Sequence, residues 1–212
     1  MKTLDELRKK AEVKRNTKGN RYFSLADGES HTIWFLQELT EDADNFDDEI
    51  GTAEVMEVVT SPADFKKSAQ ATQSLEQFGG DSWTVAREGV DRGWRPKTHL
   101  LINIAVENDD GAWEARVLDQ KPNASAHIGS DMIEYADAYG TLLDRPYKIS
   151  RKGKGPDTQY SLIPLPEVDK PESLTGVELH ELSEHYPLVP PDQQEAFYLG
   201  LNEGSETDEK GW

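Results

Sequence analysis

The feature that most constrains this chain is an apolar alternation within residues 94–120. Every second residue from Leu100 to Val106 is apolar, which is the period of a strand with one face in a core. The segment 108–111, Asn-Asp-Asp-Gly, predicts a tight turn because its glycine adopts positive φ at low cost. The return segment, 112–120, alternates again. The pattern therefore predicts a β-hairpin.

The opposite face of the predicted hairpin is polar and basic. The residues that share this parity on its first strand are Arg95, Lys97, His99, Leu101 and Asn103. We expect Arg116 to join them from the second strand, and Trp113 to lie on the apolar side with Ala115. A ribbon with a packed back and a basic front fits an extended polyanion, so the sequence predicts phosphate contacts here.

Charge is unevenly distributed along the chain. The formal net charge is -18 at pH 7, but residues 1–21 hold eight Lys/Arg against three acids, whereas residues 166–212 hold two lysines against twelve acids. Salt confines electrostatic fields to about 8 Å under physiological conditions. The charge of each local surface therefore determines which partner it binds, and the acidic net charge of the chain does not exclude binding of nucleic acid.

Composition sets outer limits on the kind of protein. A hydrophobic content of 35% and a mean hydropathy of -0.75 predict a core domain with poorly packed ends. The absence of cysteine excludes disulfides and thiolate metal sites. No apolar run reaches membrane-spanning length and the first residues lack a signal-peptide core, so we expect a soluble, intracellular protein.

The rest of the chain predicts further strands, an insertion and a helix. Strands are expected at 31–39 and 53–60, with Trp34 and Phe35 on opposite faces, one in the core and the other exposed. Segment 61–93 is interpreted as a partly helical insertion. The later elements are predicted to be an acidic loop at 41–49, a helix at 128–139 ended by Gly140, strands at 147–151 and 158–165 around a basic glycine-rich turn, and short helices at 178–186 and 193–201.

These elements divide the chain into a basic arm, 1–21; a core, 22–165, with its insertion; an acidic extension with short helices, 166–201; and an acidic tail, 202–212. The tail is expected to be disordered, because it offers little apolar burial. Strands, an insertion, a hairpin, one helix and a last hairpin favour a small barrel like the OB-fold, mainly β with a few helices and with appendages at both ends.

Four segments also resemble single-stranded DNA-binding proteins of tailed phages, the relatives of the T-even phage helix-destabilising protein. They are 94–103, 128–147, 149–153 and 160–165, and the similarity covers residues 30–165. The resemblance implies an OB-fold that grips a single strand in phage replication, recombination and repair. It also implies action in the cytoplasm of an infected bacterium.

The resemblance assigns roles to both ends of the chain. A basic N-terminal segment would support cooperative neighbour contacts, here through Arg8, Lys9, Lys10, Lys14 and Arg15. An acidic tail would recruit replication proteins, here through Glu203, Glu206, Asp208, Glu209 and Trp212. Many members carry zinc in an insertion, but segment 61–93 contains neither Cys nor His, so we expect no metal and no cofactor.

The residues predicted to contact DNA are aromatic or basic: Trp83, Arg92, Trp94, Arg95, Lys97, Arg116, Lys148, Arg151, Lys152, Lys154 and Tyr160. The rings either stack on bases or anchor the fold, and the lysines of the last turn either contact phosphate or are merely solvated. Lys148 and Lys152 share a parity opposite Ile149. No pattern supports catalysis, so the protein is not expected to be an enzyme. The alternative function is an acidic DNA mimic or adaptor that binds a host or replication protein.

Overall fold

The structure, a computed structural model, describes residues 21–61, 67–71, 96–108, 110–122, 124 and 126–199. Within them the fold is mainly β, as predicted, with a seven-stranded antiparallel sheet and two short α-helices. The strands are β1 (Ser30–Phe35), β2 (Glu54–Thr60), β3 (Ser68–Gln70), β4 (Lys97–Glu107), β5 (Trp113–Gln120), β6 (Tyr147–Lys152) and β7 (Gln159–Pro164). The helices are α1 (Gly129–Tyr139) and α2 (Pro191–Leu199). Among the described residues, no helix is both long enough and apolar enough to cross a membrane.

The chain forms two compact units. The first comprises the described residues of Met1–Val55 and Leu100–Leu182, and the second those of Met56–His99 and Ser183–Trp212. In the first unit the strand order is β5-β4-β1-β6-β7. Residues 21–23 lie beside β5, where the Phe23 amide donates to the Val117 carbonyl at 3.0 Å and the Val117 amide donates to the Arg21 carbonyl at 2.7 Å.

One face of this sheet carries the main core. The buried members come from β1, β4, β5, α1, β6, β7 and the loops between them: Leu25, Ile33, Phe35, Leu100, Ile102, Ile104, Val106, Leu118, Ile128, Met132, Leu142, Tyr147, Ile149 and Leu162. Helix α1 lies where the sequence predicted it, and Gly140 ends it with φ 75° while its amide donates to the Ala136 carbonyl at 2.8 Å. The apolar alternation of β4 therefore does build this core, as expected.

The other face of the sheet is covered over β4, β5 and the end of β1, which the sequence did not predict. Residues 171–182, here called the covering segment, place Leu174 against Trp34, Ala105 and Ala115, with Val177 and Leu179 at the margin. Trp34 and Phe35 are therefore both buried, at 3% and 0% exposure. The expectation that one of them is exposed was wrong, because a distant segment supplies the second layer.

The predicted polar front of the hairpin is largely buried, and Asn103 Nδ2 donates to the His180 carbonyl of the covering segment at 3.0 Å. Leu101 and Asn103 are fully buried and His99 is 5% exposed. The predicted helix at 178–186 does not form; this stretch runs as turns and irregular backbone across the sheet. The prediction of an open face was therefore wrong at His99, Leu101 and Asn103, whereas Lys97 is exposed and Arg95 lies outside the described residues.

The register of the β4–β5 hairpin corrects the position of Arg116. Glu107 pairs with Trp113, so the loop has five residues and includes Ala112. The Asn108 amide donates to the Ala112 carbonyl at 2.8 Å, which closes this loop. Assigning Ala112 to the strand shifts the second strand by one residue, and a shift of one residue exchanges its two faces. Arg116 lies opposite Ile104, on the side of the main core.

The second unit contains strand β3 and most of strand β2, which pair antiparallel. Its core contains Val59, Ala69, Val189 and Tyr198, and the Ser61 hydroxyl donates to the Tyr198 carbonyl at 2.9 Å. Most of the predicted insertion, 61–93, lies outside the described residues. Within it, Ala69 belongs to strand β3, where it pairs with Val59, although segment 61–93 was expected to be partly helical.

Candidate nucleic-acid interface

The exposed side of β1, β6 and β7 is the sheet surface on which the predicted basic residues are best presented. Lys148 lies opposite Thr32 on one neighbouring strand and opposite Ile163 on the other, so these three side chains share one face. We call this surface the open sheet face. Its members are Ser30, Thr32, Lys148, Ser150, Lys152, Gln159, Ser161 and Ile163.

Alternation in β6 produces this surface. Tyr147 and Ile149 are fully buried in the main core, and Lys148 and Lys152 project from the opposite side and are exposed. The parity predicted for these lysines, opposite Ile149, is confirmed. Four residues of strand separate them by about 14 Å at the usual rise of 3.4 Å per residue. The two ammonium groups therefore lie one after the other along the same side of strand β6.

Hydroxyl groups lie between and beside the two lysines. The Ser150 and Ser161 hydroxyl oxygens are 2.7 Å apart and hydrogen-bonded, and Ser30 pairs with Ser150 from the next strand. Thr32 is exposed beside Lys148. Ammonium and hydroxyl groups are the donors that proteins offer to phosphate oxygens. The open sheet face can therefore accept an extended polyanion.

The β6–β7 turn adds a third lysine at the edge of this face. Gly153 has φ 89°, and a side chain there would approach the Asp157 carbonyl to 2.2 Å, so the turn requires glycine. Its amide donates to Asp27 Oδ1 at 2.8 Å. The Lys154 side chain is 83% exposed, with its Nζ 4.0 Å from Asp27 Oδ2. The positive charge of the turn is thus partly offset by one carboxylate.

Arg151 and Tyr160 have structural contacts on the core side of the sheet. Arg151 Nη1 donates to the Leu25 carbonyl at 2.6 Å, and its guanidinium lies 5.9 Å from the centre of the Tyr160 ring. Tyr160 stacks on His127 with ring centres 6.2 Å apart. These contacts hold residues 25 and 126–128 against the last hairpin, and they place both side chains away from the open sheet face.

The other predicted contacts fall into two groups. Arg116 forms an ion pair with Glu114, and Lys97 is exposed at the first residue of β4 in the second unit. The remaining candidates lie outside the described residues: Trp83, Arg92, Trp94 and Arg95, the arm residues Arg8, Lys9, Lys10, Lys14 and Arg15, and the tail residues Glu203, Glu206, Asp208, Glu209 and Trp212.

Sequence reasoning missed most of the neutral residues of the open sheet face. Thr32, Ser161 and Ile163 belong to strands that were predicted, but their shared face depends on β1 pairing with β6. Alternation within 147–152 and 159–164 was the available signal. None of the eight residues of the open sheet face is aromatic, and Trp34, which shares its side of β1, is buried against Leu174. Within the described residues no cluster of three or more His, Asp or Glu side chains could hold a metal.

The chain was compared with protein-family models, with curated proteins and with solved structures, and none of them matches it. The resemblance to phage proteins drawn from short segments therefore gains no support from a whole-chain relative. What the protein does has to be inferred from its own residues and their geometry.

Proposed function

We propose that this protein binds single-stranded DNA without sequence preference and serves phage DNA replication, recombination and repair. The observation that carries the proposal is the open sheet face. There, Lys148 and Lys152 project from the same side of β6, and Ser and Thr hydroxyl groups lie beside them. The role is binding rather than catalysis. Its energy comes from release of counterions by lysine–phosphate contacts and from stacking on aromatic side chains.

The lysines account for the electrostatic part of this binding. Each lysine that neutralises a phosphate of a single strand lowers the slope of log K against log salt by about 0.7. If Lys148, Lys152 and the exposed Lys154 each contact one phosphate, the slope of log K against log salt is about -2. Arg116 and Arg151 do not contribute to this slope, because each is already bonded within the protein.

Stacking has to come from residues other than those of the open sheet face. We propose Trp83 and Trp94 for this role, since base–aromatic stacking contributes about 1–3 kcal/mol per base and tolerates any sequence. We also propose that the sheet is an OB-fold-like barrel. The long strand β4, which pairs with both β1 and β5, and the helix between β5 and β6 support this assignment.

The two ends of the chain complete the proposal. The basic arm, 1–21, would promote self-association on DNA, and the acidic tail, 202–212, would bind replication or recombination proteins in the cytoplasm of the infected host. Both roles follow from the charge distribution and from the resemblance. Neither involves a cofactor or a metal.

Titration of labelled oligo-dT and of a matched duplex at two salt concentrations tests this function. We expect the single strand to bind much more tightly, with an affinity that falls as salt rises, because the lysines contact phosphates. Equal affinity for both forms, or no affinity for either, would overturn the proposal.

The acidic mimic or adaptor remains the second candidate. One observation favours it: Asp144, Glu167 and Asp169 line an open cleft of about 800 Å³ in the first unit. A surface of this kind would bind a basic protein rather than DNA. Under that function oligo-dT would not bind at any salt concentration, so the same titration separates the two candidates.

A further inference from the structure

The open sheet face is longer than it is wide. It comprises three strands, β1, β6 and β7, which together are about 10 Å wide at the usual strand spacing. Its middle strand, β6, has six residues and is about 17 Å long at a rise of about 3.4 Å per residue. The long axis of the face therefore runs along β6.

The two sides of the open sheet face are bounded. The register of β1 with β4 places Glu107, the exposed last residue of β4, beside Thr32. Leu174 covers Trp34, which is the next residue of β1 on the same side as Thr32. On the other side, β7 is the last strand of the sheet among the described residues. A polyanion that crossed the strands would meet a carboxylate and a packed layer, whereas one that followed β6 would meet neither.

Positive charge lies in single file along β6. Lys148 and Lys152 are the only ionisable side chains among the eight members of the open sheet face, and Lys154 follows in the turn. The two lysines are about 14 Å apart along the strand, which exceeds the distance between neighbouring phosphates of an extended single strand. A nucleic acid strand that contacts both lysines therefore carries at least one further phosphate between them.

Ser150 occupies the position between the two lysines. Ser30 pairs with it on one side and Ser161 on the other, so three hydroxyl groups form a row across the face. The Ser150 and Ser161 oxygens are hydrogen-bonded at 2.7 Å. One hydroxyl donates in this bond, and the accepting hydroxyl keeps its own proton to donate. The row can therefore offer a hydrogen bond to a phosphate oxygen that lies over it.

We propose that the open sheet face binds the phosphodiester backbone of one nucleic acid strand that runs along β6, with a phosphate hydrogen-bonded to Ser150 between those held by Lys148 and Lys152. This inference rests on the proposed function, and it adds the path of the strand and a phosphate site without charge. None of the eight residues is aromatic, so the face itself contacts the backbone rather than the bases.

Removing the hydroxyl groups tests the phosphate site. Ser150→Ala with Ser161→Ala should lower the affinity for oligo-dT by about tenfold, which is the effect of one hydrogen bond to a charged group. The slope of log K against log salt should not change, because no charge is lost. The control is Thr60→Ala with Ser68→Ala, which removes a cross-strand hydroxyl pair of the second unit whose oxygens are 2.8 Å apart. Its affinity should match that of the unmodified chain.

A single introduced carboxylate tests the path of the strand. Ser150→Asp places a negative charge on the proposed path, and Thr32→Asp places one beside Lys148 but off the path. Ser150→Asn and Thr32→Asn have the same size without the charge. From Asn to Asp, the affinity should fall by at least about twentyfold at position 150, where the carboxylate meets a phosphate. At position 32 it should fall by about fivefold or less, because there the carboxylate only pairs with a lysine.

Two results would overturn this inference and leave the proposed function intact. Unchanged affinity in the Ser150→Ala, Ser161→Ala variant would exclude the phosphate site, and an equal or greater effect of charge at position 32 would show that the strand crosses the sheet. If the unmodified chain does not bind oligo-dT, the proposed function is overturned and the path with it. Circular dichroism and urea midpoints check that each variant is folded.

Discussion

Asn103 and His180 exchange two hydrogen bonds across 77 residues of sequence. Asn103 Nδ2 donates to the His180 carbonyl and the His180 amide donates to Asn103 Oδ1, both at 3.0 Å. Asn103 also donates from its amide and side chain to Gln37 Oε1, at 3.1 and 2.9 Å. His180 Nε2 lies 3.0 Å from the Ala115 carbonyl. A buried polar residue of β4 thus fixes the covering segment on the sheet.

Replacing Asn103 by alanine should lower the free energy of unfolding by about 3 kcal/mol, because it leaves several buried polar groups without partners at roughly 1–3 kcal/mol each. Urea unfolding measures this loss. Asn45→Ala is the control: within the part of the chain that the structure describes, this exposed amide makes one side-chain bond, to the Thr141 hydroxyl at 2.9 Å. Its loss should stay below about 1 kcal/mol. Similar losses in the two variants would contradict the role given to Asn103.

Leu174→Ala tests whether the covering segment is part of the core. Leu174 is 4% exposed and packs with Trp34, so its truncation should cost about 2–5 kcal/mol. Val168→Ala, at a side chain that is 52% exposed, should change stability by less than about 0.5 kcal/mol. If both variants unfold at the urea concentration of the unmodified chain, the covering segment does not stabilise the sheet.

Tyr147→Phe should keep or raise stability at neutral pH. The Tyr147 hydroxyl is buried without a hydrogen-bond partner among the described residues, and removing such a group relieves a cost of about 1–3 kcal/mol or is neutral. Tyr135→Phe is the matched control, because the Tyr135 hydroxyl donates to the Leu162 carbonyl at 3.1 Å. That variant should lose about 1 kcal/mol. The opposite order of stabilities would show that Tyr147 has a partner.

Tyr147 should also make the protein sensitive to alkali. Burial, with Asp144 as a second cause, raises the pKa of this phenol above its ordinary value of 10.0. Below pH 10 both states keep the proton and the stability is complete; above it the unfolded chain ionises first, so stability is lost as pH rises toward the folded pKa. Urea midpoints at about pH 8 and about pH 11 should show a smaller decline in Tyr147→Phe than in the unmodified chain. An equal decline would place the alkaline loss elsewhere.

Local pattern predicted much of the fold. The alternation of Leu100–Val106, the helix ended by Gly140 and the opposed parity of Lys148 and Ile149 each depend on neighbours within a few residues, and each prediction was confirmed. The element class and the exposed lysines were therefore within reach of the sequence.

Two errors arose from information that is not local. Whether Ala112 belongs to the loop or to the strand depends on the hydrogen bonds of Asn108, and one residue of error reversed the face assigned to Arg116. The burial of Asn103 depends on the covering segment, whose apolar residues have no regular period and meet β4 only after folding. Sequence parity gives two faces, but it does not say which of them a distant segment covers.

The salt dependence of oligo-dT binding tests the central claim most directly. Lys148→Ala with Lys152→Ala removes two charges from the open sheet face, and Lys121→Ala with Lys170→Ala removes two charges from elsewhere in the first unit. If the open sheet face holds phosphates, the first pair should reduce the magnitude of the slope of log K against log salt by about 1.4, which is two contacts at about 0.7 each. The control pair should leave the slope unchanged. Identical slopes for the unmodified chain and the Lys148, Lys152 variant would show that DNA does not bind on this face.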